Sequence, residues 1–392
     1  MTDWAEFDPI LQAVPLYRDR LKAMKACILA DAVMLGEIPA PTFGEERLVR
    51  FLKDRFTENG LDSISDDEAG NAIGLLPGKT GKRTLLVAAH IDKIWESGVD
   101  HTVTVAADRL MGPGVADNAM GVTALTALPG ILEELKIQLD ANLIFLGASR
   151  SMGRGDLGGL SFFLNNSQYP IHSGICLEGV QLGRLSYSSL GMNRGEIHIE
   201  SQVGADWESW SLSGAIPCMN WIIQQILGIE TPEVPKTSII LGSVQAGTTY
   251  GSPPDQALLR FEVRSEEPGM VARIRERIEE FVDQINAEHQ TRAELQIIAR
   301  RRPGSIGFSH PLVKGTREVM AQLGIQPTVA PSISELSALL DKNIPSLTLG
   351  ITTGSNKHNF NESIEIEPMY AGFAQLVAVL QLIDKGICDG ND

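Results

Sequence analysis

The chain has 392 residues, 43% of them hydrophobic and 21% charged, with a formal net charge of -16. That length suits two domains and a large core, and the composition is ordinary for a globular protein. The negative balance argues against nucleic acid and anionic membranes as partners, and no apolar run reaches the ~18 residues of a membrane span.

The N-terminus, M-T-D-W-A-E-F-D, lacks a basic region followed by an apolar core, so no signal peptide is expected. Residues 1 to 36 carry apolar positions at helical spacing through Leu21, Met24, Ile28 and Val33. I-P-A-P-T at 38 to 42 breaks that helix. Residues 44 to 61 resume an amphipathic helix, 63 to 71 read as an acidic turn, and 72 to 76 read as a strand. Cys27, Cys176, Cys218 and Cys388 lie far apart without a C-x-x-C pair, which predicts a reduced, cytoplasmic protein.

Residues 84 to 89 form a short apolar run that fits a buried strand. His90 and Asp92 follow at its C-terminal end, where open α/β sheets place ligand sites. One residue separates them, so in extended chain both point the same way. That spacing suits an imidazole on a metal with a carboxylate to orient it. Asp117 lies at a Gly-rich turn before the helical run 118 to 135, where its carboxylate could bind one metal or bridge two. Taken singly, H-x-D is a common chance spacing and an Asp before a helix is commonly an N-cap.

The next strand, 142 to 147, leads into A-S-R-S-M-G-R-G-D-L-G-G and a helix over 158 to 165. Residues 174 to 177 read as a strand closing on Glu178. Beyond Gly191 the pattern changes. Strands are expected at 196 to 201, 238 to 246, 256 to 264 and 294 to 299, with helices at 215 to 227 and 268 to 289. This β-α-β-β-α-β run predicts an α+β domain over 190 to 302, inserted into a first domain formed by 1 to 189 and 303 to 392. The first domain resumes with a helix at 311 to 323, a strand at 346 to 350, a loop carrying His358, and a last helix at 367 to 385. His101, His172, His198, His289 and His310 have no partner motif.

I-P-A-P-T-F-G-E-E, E-A-G-N, H-I-D, G-P-G-V-A-D-N-A-M-G, G-D-L-G-G, C-L-E-G and H-N-F-N-E-S-I-E-I occur in this order. In order and spacing these segments resemble the M20 family of zinc peptidases and amidohydrolases, a group of aminoacylase-, carboxypeptidase- and peptidase T-like proteins. The resemblance covers nearly the whole chain. It implies an α/β fold: a three-layer α/β/α catalytic domain with an inserted α+β lid and dimerisation domain. It implies His90, Asp117 and Glu178 as ligands of one metal, with Asp92 supporting His90. It implies a second metal shared by Asp117, a further glutamate and His358. The family chemistry is metal-dependent hydrolysis of peptide or N-acyl amino acid amides.

The chain departs from that pattern where the chemistry is done. The family's Glu-Glu pair before G-x-G-D-L is replaced by Ser151 and Met152. Ser151 stands at the general-base position, and Met152 at that of a second-metal ligand. Serine has no basic group near neutral pH, and a thioether prefers softer ions. In the lid loop Glu208 stands where the family has a histidine. Arg264 fits the family's lid arginine, or is a structural ion-pair partner. Arg150 and Arg154 are candidates to supply charge at the vacated metal position. The expectation is one zinc, or none, but not two, and hydrolysis that is weak or lost. The alternatives are an active single-zinc peptidase or amidohydrolase, and a non-catalytic ligand-binding or partner protein. A small peptide or N-acyl amino acid is the expected ligand. A homodimer through the lid is expected, with no nucleic acid or membrane partner. The apolar stripe Trp221, Ile222 and Ile226 suits either that dimer or a domain core.

Overall fold

The computed structural model describes residues 4–201, 214–288 and 291–389. The chain divides into two compact units, Met1–Ser188 with Ser305–Asp392, and Ser189–Gly304.

The first unit is built on an eight-stranded mixed sheet. Its order is Asp62–Asp66, Ala72–Leu76, Asn142–Ala148, Thr84–His90, Ser173–Val180, Ser346–Thr352, Arg184–Ser186, Thr328–Val329. The four central strands run parallel. Thr84–His90 is buried along its whole length, and its side chains alternate between two cores. Leu85, Val87 and Ala89 join the core formed with helices Asp8–Leu21, Met120–Leu135, Pro311–Gln322 and Met369–Asp384. Leu86 and Ala88 join the opposite core, under helices Gly158–Asn166 and Leu336–Asp341. The result is an α/β/α sandwich whose parallel strands end on one edge.

Some local expectations are corrected. The N-terminal helix is two helices, Asp8–Leu21 and Lys25–Glu37, joined by a 3-10 turn at Lys22–Met24. The acidic stretch expected as a turn contains the edge strand Asp62–Asp66, because it pairs antiparallel with Ala72–Leu76 and packs Ile64 on the core. Glu178 lies within Ser173–Val180 rather than beyond it. The helical stretch Val115–Leu135 is long and apolar enough to cross a membrane, and 89% of its most apolar window is buried in the protein.

One buried lysine ties the segment after Thr84–His90 to the end of Lys25–Glu37. Lys93 donates from Nζ to the carbonyl oxygens of Leu35, Gly36 and Ile38 at 2.7 to 2.8 Å. It thereby satisfies carbonyls left open at the end of Lys25–Glu37.

Among the described residues, the second unit has a four-stranded antiparallel sheet in the order Thr237–Ala246, Gln256–Ser265, Gly191–Ser201, Thr291–Arg301. Helices Ala215–Leu227 and Pro268–Glu288 pack on it around a separate core. Ile222 and Ile226 face that core, and Trp221 meets Phe281 edge-on at 6.2 Å. The apolar stripe of this helix therefore serves its own domain.

Candidate metal centre

The site gathers at the carboxyl edge of the parallel strands in the first unit. His90 is the last residue of its strand, Glu178 is near the end of its neighbour, and Asp117 enters from the turn before Met120–Leu135. Asn118 pins that turn between the strands. Its Nδ2 donates to Leu177 O at 3.0 Å and His90 O at 3.3 Å, and its Oδ1 accepts from Gly179 N at 2.7 Å. His90, Asp117 and Glu178 each offer a donor atom, all within 4.8 Å of one another and all buried.

Each donor is held by a neighbour. His90 Nε2 lies 3.1 Å from Asp117 Oδ1, while Nδ1 faces the Asp92 carbonyl at 3.2 Å and its carboxylate at 3.4 Å. Asp92 is itself fixed, because its Oδ2 accepts from Thr42 Oγ1, Ser151 N and Met152 N at 2.7 to 2.9 Å. Glu178 Oε1 accepts from Ser334 Oγ at 3.1 Å. Glu178 Oε2 is buried with no hydrogen-bond partner. A buried carboxylate oxygen left without a donor is costly unless a cation meets it, and beside this one stands the Lys357 ammonium at 3.6 Å. The imidazole and two carboxylates form a three-ligand set of the kind catalytic zinc sites use, so these residues fit a metal.

His358 also arrives here. Its Nε2 is 2.7 Å from Asp117 Oδ2, although its side chain is 55% exposed. Its backbone is in the left-handed region, φ 69°, which is uncommon for a residue with a Cβ. Glu362 holds that conformation and joins it to the Asp117 turn. It is fully buried and accepts from His358 N at 2.8 Å, Ala116 N at 3.0 Å and Asp117 N at 3.3 Å.

The electrostatics follow from this packing. Burial opposes a charge on His90, but hydrogen bonds to Asp117 and Asp92 outweigh it and hold its pKa well above the usual imidazole value. Burial likewise opposes the Asp117 carboxylate, yet His358 and His90 hold its pKa well below the usual range. The bond to Asp117 raises His358. Burial raises the Glu362 carboxyl.

Besides Asn118, Ser334 and Glu362, two charged groups that the sequence does not single out stand at the site. Ser151 is buried, and its hydroxyl donates to Glu335 Oε1. Glu335 is 2% exposed and precedes the short helix Leu336–Asp341. Lys357 Nζ lies 3.3 Å from Asp117 Oδ2 and 3.6 Å from Glu178 Oε2. Its position next to His358 in K-H-N is the one sequence signal that could have drawn notice. Glu335 offers only an acid before an apolar run.

The Arg150 guanidinium sits 6.0 Å over the Phe43 ring, and Arg154 is exposed. Arg264, in the second unit, pairs with Glu262. Glu208 lies outside the described residues.

The sequence profile of peptidase family M28 matches residues 71–184, the stretch that carries His90, Asp117 and Glu178. No curated protein matches the chain. The likeness in three dimensions is far longer. A tripeptidase of Staphylococcus aureus is 17% identical with a TM-score of 0.74, over 92% of this chain and 99% of that one. A metallo-carboxypeptidase of the M20 family from Sulfolobus solfataricus is 16% identical with a TM-score of 0.72, over 91% and 99%. A dinuclear metal-binding M20 peptidase of Bacillus subtilis is 16% identical with a TM-score of 0.64, over 92% and 99%. Across nearly its full length, then, the chain has the M20-like metallopeptidase fold.

Proposed function

We propose that this protein holds one divalent metal, zinc by its donor set, through His90, Asp117 and Glu178. We infer that it hydrolyses the amide bond of a small peptide or N-acyl amino acid slowly. The observation that carries this reading is the buried cluster of three donor atoms within 4.8 Å. A metal bound there would polarise an amide carbonyl and make water a better nucleophile. The chain's own residues do the rest. Asp92 fixes the His90 ring, and Glu362 fixes the backbone of the Asp117 turn and of His358.

Glu335 supports residual turnover. A serine side chain ends at Oγ, so a carboxyl bonded to it stands about where a longer acid at 151 would end. Glu335 is therefore the acid placed to take a proton from attacking water and pass it to the leaving amine.

The test is zinc content by elemental analysis, with turnover on a panel of dipeptides and N-acyl amino acids, with and without chelator. The expected outcome is slow, zinc-dependent hydrolysis. Glu335→Gln should lower kcat by about 10²-fold or more, the usual cost of a general base, with zinc content unchanged. A zinc-loaded protein without turnover would leave the ligand-binding alternative, which the replacement of the acid pair by Ser151 and Met152 favours. Thermal shift with the same panel would then detect binding. The wider reading places the protein in the cytoplasm, where Cys27, Cys176, Cys218 and Cys388 stay as thiols. It also includes a homodimer through the second unit.

A further inference from the structure

Asp117 presents two carboxylate oxygens to two different settings. Oδ1 meets His90 within the three-donor cluster. Oδ2 meets His358 Nε2 at 2.7 Å and Lys357 Nζ at 3.3 Å. The same ammonium stands 3.6 Å from Glu178 Oε2, so it spans both acids of the cluster. Arg184 adds a second positive group, 3.7 Å from Glu178 Oε1. Met152, which stands in the sequence where the resembled family has an acid, is tied by its backbone N–H to Asp92.

Charge decides what this arrangement admits. Asp117 and Glu178 together carry two negative charges. One divalent ion would balance them, and the Lys357 ammonium already stands within 3.6 Å of an oxygen of each. A second divalent ion sharing Asp117 would bring two more positive charges beside an ammonium that already stands 3.3 Å from Asp117 Oδ2. Met152 is a soft ligand and gives no compensation for a hard or borderline ion.

We propose that Lys357 is a resident cation standing in place of a second metal ion, so that the centre takes a single divalent metal. This rests on the reading of His90, Asp117 and Glu178 as ligands of the first.

The experiment counts zinc by calorimetric titration and elemental analysis on the chelator-stripped full-length chain. It compares the parent, His90→Ala, Lys357→Met, and Lys357→Met combined with Met152→Glu. The expected results are one zinc in the parent, its loss in His90→Ala, and two zincs in the double variant. Lys357→Met alone should tighten the first zinc by roughly tenfold, because it removes like charge and frees both acids. Two zincs in the parent would overturn the proposal while leaving the ligand reading intact. A folded double variant that holds one zinc would also overturn it, as would unchanged affinity in Lys357→Met. No zinc in the parent, or one zinc retained by His90→Ala, would sink the ligand reading and the proposal together. If the double variant fails to fold, the parent's stoichiometry and the single variant's affinity still decide.

Discussion

Asp92 shows how one side chain can be committed entirely to holding another. It is fully buried, and one of its oxygens takes three donors while the other faces His90. Asp92→Ala should therefore do two things. It leaves the Ser151 and Met152 N–H groups without their acceptor, which should cost about 2–4 kcal/mol in denaturant unfolding. It also frees the His90 ring, which should weaken zinc by about 10- to 100-fold in calorimetry, the usual effect of losing such a supporting partner. Normal zinc affinity in a folded Asp92→Ala protein would show that the carboxylate does not position the ring. At this scale the sequence was informative where spacing carries geometry. His90 and Asp92 are two apart at a strand end, and that alone puts both on one side. Glu335 and Ser151 are far apart in the chain, and only the folding of Leu336–Asp341 under the sheet brings them together. No periodicity or motif encodes that meeting. A lone lysine on a loop has the look of a solvated charge, so the sequence does not single out Lys357.

At the scale of elements, long periodic segments were legible and short pairings were not. Helix Met369–Asp384 and the apolar strand Thr84–His90 bury enough surface to write a clear pattern. Strand Asp62–Asp66 is polar at nearly every position and owes its form to its neighbour, so its sequence reads as a turn. The short strands Arg184–Ser186 and Thr328–Val329 exist only as additions to the sheet. The second unit raises a different matter. Among the described residues its sheet ends on Thr237–Ala246, a strand with Ile240 38% and Val244 55% exposed. An apolar edge with open backbone groups is a template for pairing with another chain. If the proposed homodimer uses this edge, Ile240→Lys with Val244→Lys should convert it to a monomer in light scattering, with far-UV dichroism unchanged. A dimer that persists through both substitutions would move the interface elsewhere, and a monomeric parent would remove the dimer from the reading.

For the whole molecule, the metal centre ties stability to pH in a way the metal-free and loaded forms should not share. In the metal-free protein, Asp117 raises the pKa of His90 and His358 above the ordinary 6.5. A raised folded pKa means stability fully present below 6.5 and lost as pH rises through the folded value. Asp117 is shifted the other way, so its share is present above 3.8 and is lost as pH falls through its depressed value. The metal-free site therefore contributes most between about 4 and 6.5. Metal reverses the upper limb, because a ligating imidazole must give up its proton and binding grows stronger as pH rises. The zinc-induced rise in melting temperature, measured against chelator at fixed salt, should be small near pH 6 and grow toward pH 8. His90→Ala should flatten that difference across the range. A zinc effect independent of pH, or one that survives the loss of His90, would mean that the metal binds away from this cluster. The parent's net charge of -16 makes such diffuse surface binding a real competitor, which is why the slope with pH is the deciding observable rather than the size of the shift.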